Sequence, residues 1–320
     1  MKKTSLLLVL FLAIGASAEQ PASPPEQSTP TPEGTVATNL NFPAERIISP
    51  TRSDLNCAGF VNPTPLPDAN YVMGGLDTPN TTHYGDGEVI YLNGKGFELG
   101  KRYAIVRELR DPNRYEMFAG QFAMIRAMGE PYEDLGIMRV LDTRGPHAIA
   151  QIEFSCSPIV PGDVVVPYVD KANFPAHAPI LFDRFAPRNG KTSGKIVLAK
   201  DFDTELGTGN KVYLNLGANQ GIKVGDYFRA VRSYETDLHD PVDSLSFKAS
   251  VAEDSQAKPP IIERGMFASG KGPTISVADF PRRAVGEVLI LSTTPTTSTG
   301  MIVFALEDVH VGDGVELDPQ

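Results

Sequence analysis

Short runs rich in Val, Ile, Tyr and Phe, each bounded by Gly, Asn, Asp or Pro, recur along most of this chain. That is the pattern of β-strands and turns rather than of helices. One stretch sets the frame. Residues 135–167 read LGIMRVLDTRGPHAIAQIEFSCSPIVPGDVVVP, and at 285–317 the pattern returns without a gap as VGEVLILSTTPTTSTGMIVFALEDVHVGDGVEL. Gly136 falls on Gly286, Val140 and Leu141 on Ile290 and Leu291, Ile152 and Phe154 on Ile302 and Phe304, and Gly162-Asp163 on Gly312-Asp313. A fixed offset with matched apolar positions marks a duplicated unit.

The duplication continues upstream. VIYLN at 89–93 and the run from Gly96 to Arg107 match VYLN at 212–215 and the run from Gly221 to Arg232, with Tyr91 on Tyr213, Tyr103 on Phe228 and Arg107 on Arg232. Gly-Asp recurs ahead of apolar runs, a turn that launches a strand: Gly supplies a positive φ and Asp bonds backbone amides ahead of it. Ala148, Ala150, Ile152 and Phe154 alternate onto one face, as do Ser298, Gly300, Ile302 and Phe304. This face is expected to point into a small barrel, with Ile149, Gln151 and Glu153 outward. The fold class is therefore all-β: two related small β-barrel-like domains of about five or six strands each.

The two copies differ in their insertions. Between Glu108 and Asp134, Phe118, Phe122, Ile125 and Met128 fall at helical spacing, which predicts one short helix covering an open end of the barrel. The second insertion, Ser233 to Ala284, is longer and polar, and is either a partner-contacting loop or disordered. Ahead of the repeats, Lys2, Lys3, the apolar run Leu6–Ile14 and Ala16-Ser17-Ala18 read as a signal peptide cleaved after Ala18. Residues 19–45 are Pro-rich and nearly devoid of apolar side chains, a disordered tether. The division is thus a leader at 1–18, a tether at 19–45, a first β domain at 46–172 and a second at 173–320. No segment of the mature chain is long and apolar enough for a transmembrane helix.

A formal net charge of −10 counts against nucleic acid as a partner, since nonspecific binding needs a basic footprint. The two cysteines, Cys57 and Cys156, form an even count in a chain read as exported, which points to one disulfide; two buried thiols are the alternative. A metal pair is disfavoured, because neither has a His or a second Cys at ligand spacing.

Chemistry is sparse. The histidines, at 83, 147, 177, 239 and 310, are scattered, and no HExxH, nucleophile elbow or P-loop occurs. No catalytic, cofactor-binding or metal residue is assigned. Glu130, Glu133 and Asp134, or Asp201, Asp203 and Glu205, would make a glycosidase only if two faced each other across a cleft. Trp is absent; Tyr115, Tyr132 and Tyr234 are the aromatics left for a sugar platform. Arg107 and Arg232 are the polar pair kept by both copies. They read either as ligand or partner contacts for an acidic group, or as rim salt bridges with their stems packed on the barrel.

The runs GKIVLAKD (194–201), KVYLNLGANQGIKVGDYFRAVR (211–232), VGEVLIL and VGDGVEL resemble the C-terminal domain of the flagellar assembly protein T family. In the first copy EVIYLNG, LGKRYAIVRE and the closing PGDVVVP are similar to the β-rich tails of envelope proteins that carry LysM peptidoglycan-binding modules. The resemblance implies a secreted, envelope-associated β domain and carries over no catalytic residue. The function expected is that of an exported, periplasmic or secreted, non-catalytic envelope protein without a cofactor. It would be an assembly component or adaptor to a protein complex or to peptidoglycan, docking partners at loops or by strand addition at exposed edges. A peptidoglycan-modifying or carbohydrate-active enzyme and a stand-alone carbohydrate-binding module are the alternatives.

Overall fold

The computed structural model describes residues 49–78, 80–112, 115–171, 182–233 and 281–318. The expected leader, most of the tether and the bulk of the second insertion lie outside the described residues. Two six-stranded sheets close on themselves. The first is built from β2 (Tyr71–Gly75), β3 (Val89–Asn93), β4 (Arg102–Glu108), β5 (Glu130–Asp142), β6 (Ala148–Ser155) and β7 (Val164–Pro167), with β1 (Phe60–Asn62) added on the outer end of β5. The second is built from β8 (Ser193–Ala199), β10 (Lys211–Leu214), β11 (Tyr227–Arg232), β12 (Arg283–Thr293), β13 (Ser298–Ala305) and β15 (Gly314–Leu317). Around the barrels the order is β5-β4-β7-β2-β3-β6 and β12-β11-β15-β8-β10-β13. Under the sequence repeat these are one topology twice. Even the side pairing recurs: the Tyr84–Ile159 bridge in the first copy becomes β9 (Glu205–Leu206) against β14 (Val309–His310) in the second.

The interiors match side chain for side chain. Val72, Ile90, Leu92, Ile105, Met138, Val140 and Ile152 fill the first barrel, and Ile196, Val212, Leu214, Ala230, Val288, Ile290 and Ile302 fill the second. Two glycines explain why the repeat keeps them. A β-carbon on Gly136 would lie 2.6 Å from the Phe154 carbonyl, and one on Gly286 would lie 2.6 Å from the Phe304 carbonyl. Only a bare backbone lets β5 and β12 cross their neighbours so closely.

The exteriors do not match. Along β6 the buried residues alternate with exposed ones, as the pattern predicts. Along β13 every residue from Ser298 to Phe304 is buried, and β12 is buried from Ala284 to Leu291. Elements of the first copy cover these outer faces. A strap made of α1 (Arg52–Asn56), Cys57–Gly59 and β1 lies on β10, β12 and β13. Leu55 and Ala58 pack there with Tyr227, Leu289, Leu291, Met301 and Val303. The helix of the first insertion, α2 (Gln121–Met128), lies on β8. The expectation that it caps its own barrel is therefore corrected. Its apolar face, with Met117 and Phe118 ahead of it, joins the core cluster of the second barrel.

Closure narrows a second expectation, that of exposed strand edges: among the described strands only β1 and the β9–β14 pair lie outside a closed sheet. A closed sheet has no free edge. The outer edge of β1 is also satisfied, because Thr297 Oγ1 donates to the Val61 carbonyl and Thr299 Oγ1 to the Gly59 carbonyl, both at 3.0 Å. No helix among the described residues is long and apolar enough to cross a membrane.

Candidate functional site

The strap is fixed at both ends of α1. Thr51 caps it reciprocally: its hydroxyl accepts from the Asp54 amide and its own amide donates to the Asp54 carboxylate. Asp54 Oδ1 also pairs with Lys211 Nζ of β10 at 2.6 Å. At the other end Cys57 forms a disulfide with Cys156 just past β6, with 5.6 Å between the α-carbons. The bond thus ties the first barrel to a strap that lies on the second. Tyr213 completes the seat; its hydroxyl donates to the Ala58 carbonyl at 3.3 Å, and burial pushes it well above the usual phenol range.

Where strap, first barrel and the β12–β13 hairpin meet, a cleft of about 340 Å³ opens. One wall is the outside of β4, β5 and β7, with Ala104, Val106, Ile137 and Val166. The opposite wall is Asn56, Gly59 and Phe60 of the strap with Ser292–Thr294. At its polar end Lys171 Nζ pairs with Asp134 Oδ2 at 2.8 Å, and the same oxygen accepts the Gly59 amide at 3.0 Å. Tyr168 donates to Asn56 Oδ1 at 3.3 Å; burial, then the nearby Asp170 carboxylate, push its hydroxyl above the usual range. The recess is largely apolar, with Asn56, Tyr168 and Ser292–Thr294 as neutral polar groups and one internally balanced ion pair, and Asp134 is the single carboxylate among the described residues of its wall. It suits an apolar side chain better than bond-making chemistry, which needs an acid or base facing a substrate.

The candidate residues from the sequence lie elsewhere. Arg107 Nε and Nη2 grip both oxygens of Asp163 at 2.8 Å, and Nη2 also reaches the Pro158 carbonyl at 3.0 Å. Arg232 does the same with Asp313, at 2.9 and 2.8 Å, and with the Asp308 carbonyl at 2.7 Å. Each Asp in turn accepts the amide three residues before it, Val160 or His310. Both arginines thus clasp the repeated Gly-Asp turn to the end of the strand after the Gly loop. Neither lines the cleft. Glu133 accepts the Ser157 hydroxyl at 2.6 Å, while Glu130, Asp201, Asp203 and Glu205 are exposed. Tyr132 is buried, stacked on Phe60 at 5.6 Å, and offers no sugar platform; Tyr115 is exposed. Tyr234, His177 and His239 lie outside the described residues. His83 and His147 are exposed and His310 is buried. Among the described residues no three His, Cys, Asp or Glu groups gather at metal-binding distance.

Sequence reasoning passed over the cleft because its wall is made of outward-facing aliphatics. The signal was present in Ala104, Ile137 and Val166, apolar at positions whose partners in the second copy are Arg229, Glu287 and Glu316. No protein-family model and no curated protein matches the chain.

Proposed function

We propose that the protein is an exported, non-catalytic component of the cell envelope, an assembly protein or adaptor that holds a protein partner. The observation that carries this reading is the cleft between the barrels: preformed, largely apolar, with neutral polar groups at its rim and its charge confined to an ion pair that already neutralises itself. Such a recess binds a side chain or short segment without altering it. The disulfide agrees with an oxidising compartment. The resemblance of both halves to envelope β domains points the same way. With the barrels closed, docking falls to this recess rather than to a barrel edge.

Crosslinking in native cells, followed by affinity purification, tests the reading, with co-sedimentation on purified sacculi alongside. The expected result is one envelope complex recovered with the natural sequence and lost with Ala104→Trp, which fills the recess while the denaturation midpoint holds. Sedimentation with sacculi without a protein partner makes peptidoglycan the ligand. Recovery of neither overturns the adaptor reading.

A further inference from the structure

The contact between the two copies is heterologous. The first copy contributes its strap and the insertion between β4 and β5; the second contributes the outer faces of β8, β10, β12 and β13. A heterologous contact leaves one used surface and one unused counterpart at each end, and so can repeat. The unused counterpart on the first barrel is open. Gln121 Nε2 donates to the Val197 carbonyl of β8 at 3.0 Å, and Phe118 lies against Gly312 and under Lys195 Nζ, 4.9 Å from its ring centre. A β-carbon on Gly312 would meet Phe118 at 3.1 Å; one on the equivalent Gly162 would meet nothing within 4 Å. Val197 is fully buried, whereas Met73, its partner on β2, is 38% exposed. Val311 is buried, and the matching Pro161 is exposed.

The element that fills this seat also recurs. Met117-Phe118-Ala119 precedes Gly120 in the first insertion, and Met266-Phe267-Ala268 precedes Ser269-Gly270 in the second, at near-equal distance ahead of Gly136 and Gly286. The second run lies outside the described residues.

We infer that Met266-Phe267-Ala268 of one molecule docks on the open Tyr71–Met73–Pro161 seat of a second copy, so that chains join head to tail as their own two halves are joined. The contact is apolar on both sides, and Gly162 leaves room for the Phe267 ring where Gly312 makes room for Phe118. No counterpart of the strap's apolar seat is needed, and on the first barrel those outer positions hold Arg102, Arg139, Gln151 and Glu153 instead.

Light scattering on the full mature chain tests this across concentrations up to millimolar. The expected result is a mass of at least two chains, returning to one chain in Phe267→Asp and in Met73→Asp, each folded by circular dichroism; Pro161→Asp serves as a second seat variant. Mixing Phe267→Asp with Met73→Asp restores a two-chain species and nothing larger, because one intact joint survives. A one-chain mass for the natural sequence at every concentration overturns the inference. So does a mixture that stays at one chain. A one-chain mass accompanied by a lowered thermal midpoint in both variants assigns the seat to the same molecule, and equally overturns it.

Discussion

The two barrels share a strand order, a set of inward side chains and an Arg–Asp clasp, yet face opposite surroundings. On the first, Arg102 and Arg139 both reach Glu153 on the outer face, and Gln151 is exposed. On the second, the same positions hold Tyr227, Leu289, Val303 and Met301, sealed under Leu55 and Ala58. A duplicated unit keeps what its interior needs, and its outward positions become free to specialise. One copy stayed fit for water and the other became a platform for its neighbour's strap. The difference teaches that the inward half of the pattern specifies the barrel, while the outward half specifies what the barrel touches.

Exchanging the outward residues breaks the comparison most sharply. Val303→Glu places on the second barrel the residue that the first carries, against Leu55 and Ala58 and without counterparts of the Arg102 and Arg139 that pair with Glu153. An uncompensated buried charge of this kind costs about 4 kcal/mol. The reciprocal Glu153→Val gives up only half-exposed ion pairs, and should change stability by less than about 1 kcal/mol. Urea midpoints of the two variants measure the asymmetry; equal losses would mean that the strap does not seal the second barrel.

The disulfide comes next. Replacing Cys57 and Cys156 by Ala releases a loop with a sequence separation of 99 residues. In the chain-entropy model this costs about 4.7 kcal/mol where the bond is unstrained. The loss should be local as well as global. Hydrogen exchange should rise at the amides of Leu55 and of position 57, in the strap, before it rises in the first barrel.

The clasps refine the comparison at a smaller scale. Arg232 and Asp313 are both buried, whereas the Arg107 side chain is 38% exposed beside a buried Asp163. Arg232→Ala strands a carboxylate out of water and should cost about 3 kcal/mol. Arg107→Ala lets solvent reach its partner and should cost about 1 kcal/mol. Denaturant titration of both separates the values; a reversed order would show that exposure does not govern the clasp.

Much of this architecture was legible in the residues. The repeat, the alternation of β6 and the Gly-Asp turns name two small barrels. The β13 run STGMIVFA held a further message, since Met301 and Val303 are apolar at outward positions, as strands covered on both faces are. Comparing Glu153 with Val303 would have exposed it, but matched positions draw the eye and mismatched ones carry the interface. Helical spacing marked an apolar face on the first insertion. Periodicity reports that such a face needs a partner, not which barrel supplies it. The cleft was least legible, because a cavity is set by three segments far apart in the chain, and no local pattern records their meeting.

The smallest effect concerns how the strap holds on. Burial pushes the Asp54 carboxyl up, but the Lys211 ammonium, the Thr51 hydroxyl and the Thr51 amide together hold it below the usual carboxylate range. A carboxyl whose folded pKa lies below its unfolded one stabilises the fold above the unfolded value, and that contribution is lost as pH falls through the folded one. The strap should therefore be fully held at neutral pH and loosen as pH drops below about 4. Protection factors at the Leu55 and Cys57 amides, which bond to the Thr51 and Ser53 carbonyls, read the change directly. Lys211→Met should flatten the profile, since it removes the first of the groups that keep Asp54 ionised. On the first barrel the equivalent position is Val89, with no strap above it, so the exchange of Tyr91 should show no such dependence on acid. A matching pH profile at Tyr91 would assign the loosening to the barrels themselves and not to the strap.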